Sequence, residues 1–164
     1  MMNRLKRNQK RNAMNDQEKQ TLDQIKTLFD SQRLAVLSTQ KNNQPYASLV
    51  AFAATDDLKQ IVFLTPATTR KYDNLATHSN AAILVNDSMN RASDIYNAIS
   101  VTGTGTAAVV SGNEKQRLLE IYLNRHPHLK TFSNAPTTAL IRVAVDRYFM
   151  VHRFQNVVEI QVEP

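Results

Sequence analysis

The chain has 164 residues, no cysteine and a formal charge of +6. That length predicts a single domain. The missing cysteines exclude disulfides, thiolate catalysis and cysteine-ligated metals, and no apolar run approaches the ~18 residues of a membrane span. The N-terminus is charged with no apolar stretch after it, which is not the pattern of a signal peptide. The expectation is therefore a cytoplasmic protein without a membrane partner.

The charge is uneven. Arg4, Lys6, Arg7, Lys10 and Arg11 all precede the first acid, Asp16, which leaves +1 on the remainder. Residues 1–14 read as a basic, disordered tail. It could touch polyanions through non-specific electrostatics, but no aromatic interleaves it and no specific nucleic-acid partner is expected.

From Asn15 to Gln32 the spacing of Leu22, Ile25, Leu28 and Phe29 predicts a helix. The period then shortens: Arg33–Thr39 and Pro45–Ala54 read as strands about the turn Lys41-Asn42-Asn43-Gln44. A further turn at Asp56–Lys59 leads to the strand Gln60–Leu64. A short helical pattern ending near His78 follows, and then the strand Ala81–Val85. Asn86–Asn97 is a long polar segment, the kind of loop that tends to be functional. Ile99–Val110 is strand-like, and Gly103 and Gly105 inside it suggest a bulge or close backbone approach. Glu114–Arg125 predicts a second amphipathic helix, closed by His126-Pro127. Leu140–Val145, Tyr148–His152 and Val157–Val162 read as three more strands. About eight strands and three helices, joined mostly by short turns, favour a mostly β antiparallel barrel over a doubly wound sheet.

The most informative stretch is Thr65-Pro66-Ala67-Thr68-Thr69-Arg70-Lys71, where a strand hands over to a helix. Free amide N–H groups and the positive end of the helix dipole favour an anion there. Arg offers a planar fork, Lys a point charge and Thr short donors, a set that suits phosphate. Cations in a first turn oppose the dipole, and a bound anion would give that placement a reason.

Other patterns carry less. His78, His126, His128 and His152 lack zincin spacing, so no metal site is expected. Thr102-Gly103-Thr104-Gly105-Thr106 lacks the third glycine of a dinucleotide fingerprint. Ser48 and Ser88 have no Gly-x-Ser-x-Gly context. Tyr46, Tyr72, Tyr96 and Phe52 read first as core aromatics.

The order helix, hairpin, strand, Thr-x-x-x-Thr-Arg-Lys, short helix, strand, loop, long strand resembles the FMN-binding split barrels of the pyridoxamine 5'-phosphate oxidase-like family, over roughly Leu22–Val162. The resemblance implies a Greek-key split β-barrel (α+β, mostly β) with flanking helices over 15–164, and a homodimer with flavin at the subunit interface. It implies that Thr65, Thr69, Arg70 and Lys71 grip the FMN phosphate while Ala47, Ser48, Leu49 and Val50 line the ring. Arg91 and Asn97 are the candidates for contacts from the partner chain. Two departures stand out: positions 47–54 hold no charge, and Val157–Pro164 lacks the Arg-Leu-x-Pro-like signature of true vitamin B6 oxidases. The chain is therefore similar to the smaller general-stress and haem-utilisation relatives. The functional expectation is an FMN-dependent oxidoreductase with a small-molecule electron donor or acceptor. The alternative is a non-catalytic flavin- or haem-binding carrier or stress protein, with the deazaflavin F420 as another ligand of the fold.

Overall fold

The computed structural model describes residues 2–153 and 156–163, with side chains from Asp16 onward. Helix α1 spans Met2–Ser31. It starts earlier than the period of its apolar face suggests, and its backbone runs through the stretch expected as a disordered tail. No proline precedes Pro45 and no glycine precedes Gly103, so nothing in residues 2–31 breaks a helix once the C-terminal turns are fixed. Those turns are fixed by packing: Ile25, Leu28 and Phe29 are buried in the main core. Phe29 meets Phe52 and Tyr148 edge-on, with ring centroids 5.5 and 5.8 Å away.

Seven strands follow among the described residues: β1 (Leu34–Lys41), β2 (Gln44–Ala54), β3 (Gln60–Pro66), β4 (Asn80–Asn86), β5 (Ser100–Val109), β6 (Thr138–His152) and β7 (Asn156–Gln161). All pairings are antiparallel, in the order β3-β2-β1-β4-β5-β6-β7, and β3 also pairs with β6. That last pairing closes β1 to β6 into a barrel and leaves β7 as an outer flap. The neighbours β4-β1-β2-β3 have the spatial order of a Greek key. The split barrel expected from the sequence is therefore the observed fold.

The two strands expected at Leu140–Val145 and Tyr148–His152 are one strand, β6. Its register against β5 shifts between Thr104 and Gly105, so that Thr104 faces Arg147, Gly105 faces Val145 and Asp146 is the extra residue. The interruption between the two apolar runs is thus a β-bulge rather than a turn. Gly105 makes it possible, since a Cβ there would lie 2.0 Å from the Ala144 carbonyl oxygen.

The remaining helices are α2 (Arg70–Thr77), α3 (Asp94–Asn97), α4 (Gly112–Arg125) and α5 (Lys130–Ser133). α4 covers a second apolar cluster on the outside of the barrel, with Leu118 and Tyr122 packed on Ala53, Val62, Leu64 and Leu140. The outer face of β2-β1-β4-β5-β6 is different. Its registered row Leu49, Val36, Leu84, Thr102, Phe149 runs across five strands, with Leu49 66% exposed and Leu34 and Val157 open nearby. No helix of the described residues is long and apolar enough to cross a membrane.

Candidate functional site

The site forms where β2 leaves β3. β2 pairs with β1 over eight registered positions but with β3 over only three, Phe52–Ala54 against Ile61–Phe63. The N-terminal half of β2 therefore parts from β3, and α2 begins beside the opening. Thr69 caps α2, its hydroxyl accepting from the Tyr72 amide at 3.4 Å and donating to the Pro66 carbonyl at 2.9 Å. Thr69 holds the Pro66 carbonyl more closely than Thr65 does (2.9 against 3.4 Å), which assigns Thr65 as the donor in the 2.8 Å contact between the two hydroxyls. Thr65 is 1% exposed. The sequence pairs these threonines as ligand donors, whereas the structure makes Thr65 the buried brace that orients Thr69.

Above this brace, the amides of Arg70 and Lys71 take no backbone acceptor, as the first turn of a helix dictates. Arg70 is exposed and Lys71 half-buried, and among the described residues neither is paired with a carboxylate. The nearby acid, Asp73, is held by Lys41 at 2.5 Å. Two cations and two amides are thus left uncompensated at one helix start, a donor set that fits a dianionic phosphate.

Buried contacts anchor α2 to the β1–β2 hairpin. Asn74 is 3% exposed and donates to the Thr39 hydroxyl at 2.9 Å, and Thr39 donates to the Tyr46 carbonyl at 3.5 Å. The Arg70 guanidinium lies over the Tyr46 ring, 5.4 Å from its centroid. The structure therefore brings Arg70 to β2 one residue from the segment Ala47–Val50. In that segment Ala47 and Leu49 are exposed, while Ser48 and Val50 lie opposite the buried Leu37 and Ala35. The Ser48 hydroxyl is buried without a hydrogen-bond partner, a costly arrangement that a ligand atom could satisfy.

Arg91 and Asn97 lie elsewhere. Both follow the end of β4, on its connection to β5. Asn97 ends the short helix α3. The loop is ordered by two aspartates: Asp94 accepts from the amides of Met89 (2.7 Å) and Arg91 (2.9 Å), and Asp87 from Ile99 (2.7 Å). The bonds from those amides hold the Asp94 carboxyl below its ordinary range.

His126, read above as a helix stop and weighed as a metal candidate, has a further place. It is 1% exposed, and its Nε2 lies 2.8 Å from the Phe52 carbonyl. A carbonyl can only accept, so Nε2 carries the proton. His126 thereby holds β2 where its pairing with β3 ends, and burial lowers its pKa. Neighbouring Arg125 donates to the carbonyls of Phe29, Asp30 and Gln32 at the end of α1. No spacing in the sequence marks these contacts, which span more than 70 residues.

Residues 21–152 match the family model described as pyridoxamine 5'-phosphate oxidase, and the chain belongs to that family. Similar solved structures include a haem-binding protein from Mycobacterium smegmatis (18% identity, TM-score 0.74, 82% of this chain and 55% of that one). ChuZ from Campylobacter jejuni is similar too (15%, 0.73, 85% and 58%), as is General Stress Protein 26 from Bacillus anthracis (18%, 0.60, 87% and 98%). This chain spans little more than half the length of the first two, and at such identities the likeness is one of fold. No curated protein matches the chain in sequence.

Proposed function

We propose that this member of the pyridoxamine 5'-phosphate oxidase family binds FMN and acts as an oxidoreductase on a small-molecule partner. The observation that carries the reading is the uncompensated pair Arg70 and Lys71, with their free amides, at the start of α2. These groups and Thr69 hold the phosphate, and Thr65 keeps Thr69 in its capping rotamer. The segment Ala47–Val50 receives the ring, and Ser48 gains the hydrogen-bond partner it lacks. β2 bears no Arg or Lys, so phosphate affinity rests on α2 rather than on that strand. When bound, the flavin supplies the two-electron chemistry. The protein's part is to hold it, orient it and cover one face.

The outer row from Leu49 to Phe149, apolar but for Thr102, supports a homodimer formed through that face. In such a dimer Arg91 and Asn97 reach the flavin of the partner subunit. A haem-handling carrier is the second reading, favoured by the fold shared with the M. smegmatis haem-binding protein.

Titration of the full chain with FMN, riboflavin, F420 and haemin separates these readings. FMN is expected to bind at least about 100-fold more tightly than riboflavin, the worth of two or more charge-assisted bonds. Equal affinity for the two flavins removes the phosphate site, and a Soret band without flavin binding moves the assignment to haem. Reduction of bound FMN by NADH or NADPH then identifies an enzyme; a flavin that no donor reduces identifies a carrier.

A further inference from the structure

We propose that the cleft on the hairpin side of Arg70 receives the adenylate half of FAD, so that the protein takes the dinucleotide flavin as well as FMN; this rests on the phosphate reading above. The cleft has a volume of about 410 Å³ and is lined by Lys41, Asn42, Gln44, Tyr46, Arg70 and Asn74, with Pro45 and Asp73. That size lies within the usual range of small-ligand sites. Arg70 belongs to both the phosphate site and the cleft wall, so a ligand that continues past its phosphate enters this space.

The lining has the chemistry of a nucleotide site. The Arg70 guanidinium carbon stands over the Tyr46 ring, 5.4 Å from its centroid, while the side chain stays exposed, which leaves an open face and N–H groups for a ligand. A purine can stack on that open face while the N–H edges hold phosphate oxygens. The amides of Asn42 and of Gln44, whose Nε2 also donates to the Pro45 carbonyl at 3.2 Å, supply donors and acceptors of the kind that recognise an adenine edge. They sit on a two-residue hairpin closed by the Lys41–Gln44 pair, whose Asn42 and Asn43 adopt φ of 52° and 61°. Such a turn fixes the backbone from which the two amides project. Asp73 would oppose a pyrophosphate but is neutralised by Lys41. FMN, ending at its phosphate, uses Arg70 alone of these cleft groups. A nicotinamide dinucleotide would bring its own pyrophosphate and compete with FMN for Arg70, so FAD is the dinucleotide whose phosphates this arrangement shares.

The test is equilibrium titration of the full chain and of Asn42→Gly/Gln44→Ala with FMN and with FAD, read by flavin fluorescence. Glycine is at ease at the positive φ of position 42, so the variant removes both amides without straining the turn. Wild type is expected to bind FAD about tenfold more tightly than FMN, and the variant to lose about that factor for FAD while FMN stays within about twofold. FAD binding weaker than FMN, or a FAD affinity unmoved by the variant, overturns the proposal while leaving the phosphate site standing. Variant-sensitive binding of NADH to the FMN-loaded protein overturns the choice of FAD. Absence of binding by either flavin defeats the phosphate reading itself and this proposal with it.

Discussion

Arg125 and Arg70 both sit at helix ends, yet the fold treats them in opposite ways. Arg125 ends α4 and donates to three carbonyls at the end of α1, where a cation complements the negative dipole. It also receives the Arg33 side chain on its own carbonyl and lies 5.7 Å from the Phe52 ring centroid. Arg70 stands at the positive end of α2 beside Lys71, with the Tyr46 ring as its neighbour and, among the described residues, no carboxylate paired with it. The first arginine is consumed by the fold. The second adds little to stability where it stands, and an anion is what gives its position a physical reason.

The contrast can be broken first at Arg125. Arg125→Ala strips donors from three carbonyls and is expected to lower unfolding free energy by about 2–4 kcal/mol in urea titrations, without a specific loss of FMN affinity. An unchanged midpoint would show that water replaces the guanidinium at the end of α1. Next in size is Asn74→Ala, which leaves the buried Thr39 hydroxyl without its donor. About 1–3 kcal/mol of stability is expected to go. FMN affinity falls with it, because α2 loses its anchor to β1; stability lost with affinity intact would uncouple α2 from that anchor.

His126 sharpens the same comparison through pH. Its folded pKa is depressed by burial, so the unfolded chain takes up a proton first as pH drops through about 6.5. The stability contributed by neutral His126 is full above that value and declines as pH falls toward the folded pKa. His126→Gln keeps a donor for the Phe52 carbonyl and is expected to flatten this acid-side decline, at about 1 kcal/mol cost near neutrality. A decline of unaltered steepness would assign it to other groups. The smallest effect belongs to Lys41–Asp73, whose side chains are 40% and 59% exposed. Lys41→Ala is expected to change stability by no more than about 1 kcal/mol in thermal unfolding, and a larger change would make the pair a structural clamp.

Much of this was legible from local pattern. Alternating apolar runs and short turns gave the barrel, the glycines of the fifth strand announced the bulge, and the strand-to-helix handover at Thr65–Lys71 marked the candidate site. What escaped the pattern was long-range or hidden in a continuous period. The two apolar runs of β6 read as separate strands because a bulge residue, Asp146, looks like a turn in one dimension. Helix α1 runs further back than its apolar stripe because backbone helicity needs no buried face where no breaker intervenes. The bracing role of Thr65 depends on where the Thr69 proton goes, and the His126 bond to Phe52 joins residues far apart in the chain.

The central claim is that Arg70 and Lys71 serve a ligand rather than the fold. Its most direct test pairs two readouts on Arg70→Ala/Lys71→Ala: unfolding free energy and FMN affinity. Stability is expected to stay within about 0.5 kcal/mol of wild type or rise slightly, because two cations leave the positive end of α2. FMN affinity is expected to fall at least about 100-fold. A variant that binds FMN like the wild type, or one that loses affinity only because it no longer folds, would contradict the claim.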